Sequence, residues 1–179
     1  MTLYKKDYVL IDGKYGVEEF EIDKSVYGHG QWVVGNLGTQ EYGYSFLIEC
    51  KGDPLPLNKD DDNWGYSPPN LEINYWSGAA DTMPPLKTGD ILQIEKCVSN
   101  EYGHQTVIYR VSHEDLDNVR IEVISTQENS VELKIEGESW DVAITGNSDD
   151  DDSDEKHPRS KVRIHTSMVF DEKQGPSFD

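Results

Sequence analysis

Short runs in which apolar and polar residues alternate recur along the chain, and they limit its fold more than any other feature. Val119, Ile121 and Val123 alternate with charged residues, and the same period of two returns over 131–135. This period places every second side chain on one face of a strand. Such runs recur at the spacing of about 8–12 residues that is typical of sandwiches and barrels. The sequence therefore predicts an all-β fold: a single antiparallel β-sandwich or open barrel of roughly ten strands, with little or no helix.

Prolines, glycines and charge mark the expected boundaries within this domain. We expect one domain over residues 1–170, with a long irregular loop at 51–69, an acidic hairpin loop at 146–160 and a disordered tail at 171–179. Pro54 and Pro56 argue against a strand at the start of the irregular loop, because proline donates no ladder hydrogen bond. The glycines of Val26–Gly30 indicate a break between strands. His113–Asn118 is the one helix candidate, a single turn at most.

A run of acidic residues near the end of the chain has one structural consequence. Six acids repel one another and cannot be packed into a core, so the run must lie in a solvated loop. They are Asp149, Asp150, Asp151, Asp152, Asp154 and Glu155. The runs on either side, Trp140–Thr145 and Lys161–Phe170, alternate like strands. If these flanking runs pair, the acidic run is the tip of a β-hairpin.

The whole chain is strongly acidic, with 16 Lys and Arg against 35 Asp and Glu and a formal net charge of −19. Without the six acids of the run the net charge is still −13, so the excess extends over the rest of the chain. The resulting field repels phosphate, which disfavours direct binding to nucleic acid or to an anionic membrane, and it steers a basic partner protein inward. Acidity that serves only solubility is the open alternative.

Cysteine content and hydropathy indicate a compartment. Cys50 and Cys97 do not form a disulfide framework, and the polar opening of the chain does not resemble a secretory signal. No apolar run approaches the ~18 residues of a transmembrane helix. We therefore expect a cytoplasmic protein with reduced thiols, while its oligomeric state stays open.

The motifs of catalysis and metal binding are weak. No phosphate-binding glycine loop or Gly-x-Ser-x-Gly motif occurs, and the five histidines are isolated. Asn58, Asp60 and Asp62 have the spacing of a calcium loop, but Asn63 and Pro69 stand where such a loop needs glycine and glutamate. We predict no catalytic residue, no metal and no cofactor. Paired carboxylates among so many acids leave an enzyme as an open alternative.

The irregular loop supplies the functional hypothesis. Acids and aromatics that could contact a partner lie close together there: Asp60, Asp61, Asp62, Trp64 and Tyr66. Buried aromatic anchors within a charged rim are typical of protein-binding hot spots. Together with the acidic run, they suggest an acidic module that docks on or inhibits a basic partner, in the manner of an immunity protein or antitoxin, by covering its active or binding groove. The alternative is a carbohydrate-binding or calcium-assisted ligand-binding β-sandwich that uses the same loop.

Overall fold

The computed structural model describes residues 4–13, 16–34, 39–52, 55–56, 65–66, 68–76, 83–100, 103–110, 113–140 and 159–173. Within them the regular structure is entirely β. The strands are β1 (Tyr8–Gly13), β2 (Gly16–Val34), β3 (Thr39–Cys50), β4 (Leu55–Pro56), β5 (Gly65–Tyr66), β6 (Asn70–Trp76), β7 (Ile91–Ile94), β8 (Ser99–Asn100), β9 (Gly103–His104), β10 (Thr106–Tyr109), β11 (His113–Gln127), β12 (Ser130–Trp140) and β13 (Arg159–Phe170).

Nine of these strands form one sheet, and eight of the nine close on themselves. The order is β10-β6-β3-β2-β1-β13-β12-β11-β7, and β10 also pairs with β11. The hydrogen-bonded circuit is thus β1-β2-β3-β6-β10-β11-β12-β13 and back to β1, with each pair antiparallel. β7 pairs with 119–122 of β11, beyond the 113–115 that pair with β10. The all-β prediction is confirmed, and the form is a closed barrel.

The length of β2 helps to close the barrel, because different parts of this strand pair with different neighbours. The first part of β2 pairs with β1, and its later part from Ile22 onward pairs with β3. Past the point where β1 begins, β2 pairs directly with β13 in a short parallel ladder at Val26 and Tyr27. One strand therefore joins three neighbours, which a short strand could not do.

Alternation along the strands fills the barrel with apolar side chains. Leu71 and Ile73 of β6 face inward, as do Leu133 and Ile135 of β12 and Ile164 of β13, and each of these five is at most 1% exposed. Gly137 of β12 is a special position, because a Cβ built there would lie 2.8 Å from Cγ of Leu116. Leu116 occupies the space where a side chain would be, so the close packing requires this glycine.

Three local predictions are wrong. Val26–Gly30 is no break, since β2 runs through it, and His113–Asn118 is the start of β11, not a helical turn. Pro56 lies in a two-residue ladder with Gly65, so the irregular loop contains a small two-stranded sheet. The ladder is short and includes no further strand of the described residues, a place where proline is tolerated.

The barrel has two distinguishable ends. We name as the upper end the one at which β1 ends and β2 begins. In the lower half, the segment 83–90 packs against the core: Leu86 is buried, and the Tyr44 hydroxyl donates a hydrogen bond to the Pro84 carbonyl. Asp90 and Gly89 exchange backbone hydrogen bonds with Val123 of β11, which hold this segment in place.

No helix in the described part of the chain has the length and apolarity to cross a membrane.

Candidate functional site

Both segments predicted to contact a partner connect strands at the upper end. β3 runs toward this end and β6 runs away from it, so the connection 51–69 begins and ends there. β12 and β13 are related in the same way, and Trp140 pairs with Arg159 at the top of their ladder. The strands on either side of the acidic run therefore pair, but the first of them is Ser130–Trp140; of the predicted flanking run Trp140–Thr145, only Trp140 lies within the described residues.

The two connections leave the barrel on opposite sides. Around the closed circuit, β2 and β1 separate β3/β6 from β12/β13 in one direction, and β10 and β11 separate them in the other. Together the connections 51–69 and 141–158 contain eleven acidic and three basic residues, or −8 of the net −19. The sheet topology therefore attaches a large share of the excess charge to one end of the molecule.

The predicted contact residues themselves lie outside the described residues, with one exception. The acids of the β12–β13 connection (Asp149–Asp152, Asp154 and Glu155) and Asp60, Asp61, Asp62 and Trp64 are among those not described. Tyr66 is described by its backbone, which pairs with Leu55 in the β4–β5 ladder. This ladder places residues 56 and 65 side by side at the two ends of the segment 57–64. The role given to these residues stays a prediction.

A salt bridge crosses the barrel beneath the upper end. Arg110 follows β10 with the same inward orientation as Ile108, and its side chain is 1% exposed. Its two terminal nitrogens donate to the two carboxylate oxygens of Glu18 on β2, each at 2.7 Å, and its guanidinium lies 4.8 Å from the ring centroid of Phe20. β6 and β3 lie between β10 and β2 in the circuit, so this pair spans the interior and does not join neighbouring strands.

Burial perturbs this cation. Desolvation lowers the pKa of the Arg110 guanidinium from its ordinary value, and the hydrogen bonds and charge of Glu18 act in the opposite direction. Arginine remains charged despite such a shift, so the upper end of the core contains a fixed positive charge held by a half-exposed carboxylate. Sequence inspection missed this pair. The available signal was the continued alternation from Thr106 and Ile108 to Arg110.

The outer wall of the barrel differs in charge from the upper connections. Exposed ion pairs join β2 to β3 and to the residues next to β1 and β3: Lys5–Glu19, Lys24–Glu49 and Lys51–Glu21. On β12 and β13, His165 Nε2 lies 2.9 Å from Glu132, which also accepts from Ser125 and lies near Lys6; these contacts lower the pKa of the Glu132 carboxyl. The wall thus neutralises much of its own charge locally.

Both cysteines lie within the described residues as free thiols. Neither cysteine forms a disulfide; Cys97 is buried and Cys50 is partly buried at the end of β3. Burial raises the pKa of the Cys50 thiol to about 12, which disfavours the thiolate that nucleophilic chemistry requires. Among the residues that the structure describes, no group of three or more His, Cys, Asp or Glu side chains is arranged to hold a metal ion. The candidate calcium loop at Asn58–Asp62 lies outside them.

No protein-family model, curated protein or solved structure matches this chain.

Proposed function

We propose that the protein is an acidic binding module that docks its upper end on a basic partner protein and blocks the partner's active or binding groove. The observation that carries the proposal is topological. Two connections that together hold eleven acids and three bases leave the barrel at the same end and on opposite sides of it. Acids placed on two sides of one surface favour a partner whose groove is lined by Lys and Arg.

The rigidity of the barrel supports this role. The β12–β13 connection begins and ends on a ladder of eleven paired residues, and the β3–β6 connection on a ladder of seven. Strands held in this way cannot separate without breaking the sheet, so the stems of both connections keep a constant position. Because both connections are attached at the same end of the barrel, their summed negative charge accelerates encounter with a basic protein. In this mechanism Trp64 and Tyr66 supply desolvated anchors within the acidic rim.

Affinity capture from a lysate of the native host tests the first part of the proposal. We expect one basic protein to be retained stoichiometrically at low salt, and to be retained in part at about 0.5 M salt, where exposed charges are largely screened. An eluate without a stoichiometric basic protein would contradict the proposal.

A matched pair of triple variants tests the surface that is used. Asp60→Asn/Asp61→Asn/Asp62→Asn removes three charges from an upper connection. Glu41→Gln/Glu128→Gln/Glu172→Gln removes three from the lower half of the barrel, where none of these side chains has a hydrogen bond or ion pair with a described residue. We expect the first variant to associate about tenfold more slowly with the captured protein at low salt, with a flatter salt dependence. Equal slowing by both variants would show that general acidity, and not the upper end, drives association.

A further inference from the structure

An open groove of about 310 Å³ lies on the outer wall of the barrel, where β11, β12 and β13 run side by side. Its floor is backbone: Gly137 and Val162 pair with each other across β12 and β13, and both residues direct their side-chain positions inward. Because no side chain rises from the floor, the neighbouring row of residues 136 and 163 is separated from the row of residues 138 and 161. The volume is at the lower end of the ~300–1,000 Å³ of small-molecule sites.

Four charged side chains form the sides of this groove, which we name the wall groove, in a regular pattern. Glu136 and Glu138 project from β12, and Arg163 and Lys161 project from the paired positions of β13. Each row across the groove thus sets one carboxylate beside one cation on strands about 4.8 Å apart. The two carboxylates therefore face each other at the β12 end of the groove, and the two cations face each other at its β13 end.

These opposite charges do not neutralise one another directly. Among the described residues, neither Glu136 nor Glu138 has an ion pair; the first accepts from the Tyr4 hydroxyl at 2.5 Å and the second from the Asn118 amide at 3.1 Å. Arg163 reaches out of the groove to Asp12, at 3.3 Å. Lys161 is exposed and makes no hydrogen bond or ion pair within the described part of the chain. Arg120 of β11 is paired with Glu136 and interacts with its charge. Glu138 and Lys161 are therefore the groove charges that no opposite charge contacts within the described residues.

A β-bulge in β11 shapes the third side of the groove. The register between β11 and β12 shifts between Asp117 and Arg120, and Asn118 has a φ of 52°. Two contacts hold this bulge: the Asn118 N–H donates to the Glu95 carbonyl, and Asp117 accepts from the Cys97 N–H at 2.8 Å. A bulge re-aims a side chain out of the regular pleat, and here it directs Asn118 to Glu138.

We propose that the wall groove binds a small zwitterion of the amino-acid type. Its ammonium group would lie between Glu136 and Glu138, and its carboxylate between Lys161 and Arg163. The charge of the whole molecule selects among ligands: a net charge of −19 repels phosphates and dicarboxylates, whereas a zwitterion carries no net charge. A polycation would place positive charge against Lys161 and Arg163. The proposal is independent of the proposed function, which uses the upper connections.

Titration of ¹⁵N-labelled protein with glycine, alanine and glycylglycine, followed by NMR, tests the site directly. We expect saturable shifts of the Gly137 and Val162 amides at concentrations up to about 10 mM. N-acetylglycine lacks the ammonium and glycinamide lacks the carboxylate, and each should bind at least about tenfold more weakly, because each loses its charge-assisted hydrogen bonds. Absence of saturable shifts with all three zwitterions would overturn the proposal.

Two pairs of variants test the assignment of each charge. Lys161→Met should weaken glycine binding about tenfold, whereas Lys173→Met, which removes an exposed lysine beyond β13, should leave it unchanged. Glu138→Gln and Glu128→Gln form the corresponding pair for the ammonium side. These side chains lie at the surface, so the variants should fold. Zwitterion binding that neither Lys161→Met nor Glu138→Gln weakens would place the ligand elsewhere and contradict the proposal.

Discussion

At the scale of single residues, the unusual feature is the charge pair that crosses the barrel interior. Arg110 is almost completely buried, while 38% of the Glu18 side chain is exposed. Removing one partner or the other should therefore lower the free energy of unfolding by different amounts. Removing the arginine leaves a carboxylate that water can reach, whereas removing the carboxylate leaves a buried guanidinium without its main counter-charge.

We predict that Glu18→Gln destabilises the protein more than Arg110→Met does. Breaking a buried ion pair by removing one charge costs about 3–5 kcal/mol when the remaining charge stays buried. Arg110→Met instead leaves Glu18, whose side chain is 38% exposed, in contact with water, so its cost is smaller. We expect a loss of about 3 kcal/mol for Glu18→Gln, and about 1 kcal/mol or less for Arg110→Met. Urea unfolding measures both. A larger loss for Arg110→Met would mean that its packing on Phe20 outweighs the electrostatic term.

Other residues show where local sequence signals were overridden. Gly28 lies within Val26–Gly30, which has the composition of a turn, yet it is buried and pairs with Ser45 in the middle of the β2–β3 ladder. His113–Asn118 has polar residues suited to a helical turn, but Leu116 is fully buried and the segment pairs with β10 and β12. A six-residue helix pays the full cost of nucleation, whereas a strand here gains two ladders.

At the scale of elements, hairpins carry the charged connections. The β12–β13 ladder is continuous over eleven residue pairs, up to Trp140 and Arg159. This ladder and its inward-facing side chains stabilise the hairpin. The connection 141–158 contains seven acids and one base, so its own charges repel one another.

Replacing residues 141–158 by a four-residue turn should therefore stabilise the barrel. Closing a shorter loop costs less entropy, about 0.6 kcal/mol for each halving of its length, so we expect a gain of about 1 kcal/mol in the free energy of unfolding. The same replacement should slow association with the basic partner.

A second variant distinguishes the effect of the length of the connection 141–158 from the effect of its charge. It keeps all eighteen residues but carries Asn and Gln at the six acids of the run. Both variants should retain the circular dichroism spectrum of the barrel, and urea unfolding gives their stabilities. A loss above about 2 kcal/mol in the shortened variant would indicate that the connection packs against the body and would contradict the prediction.

At the scale of the whole molecule, the distribution of charge is uneven. The described residues contain 21 acids and 13 bases, a net of −8, and the remaining residues contribute the other −11 of the total of −19. Exposed pairs such as Lys5–Glu19 offset part of the wall charge, but each contributes little to stability. Self-repulsion should therefore dominate the response of the fold to ionic strength.

We predict that NaCl raises the melting temperature. Between about 10 mM and 0.5 M NaCl, the Debye length falls from about 30 Å to below 8 Å, and the repulsion is screened. An increase of about 2–4 °C corresponds to about 1 kcal/mol for a domain of this size. A variant with Asn at Asp149–Asp152 has a net charge of −15, and its melting temperature should respond less. A melting temperature that falls with NaCl would show that attractive surface pairs outweigh the repulsion.

The sequence by itself determined the fold class, most of the strands and the position of the acidic run between two strands. A period of two and a run of like charges act locally, so Val119–Val123 can be assigned to a strand and Asp149–Glu155 to a connection without knowledge of their neighbours. Only the tertiary structure decided that the strands close into a barrel. That closure depends on the pairing of β10 with β11 and on which edge of each strand meets which neighbour. The cross-barrel Arg110–Glu18 pair follows from the closure, because it joins residues 92 positions apart in the chain. Local patterns contain no information on contacts at such separations.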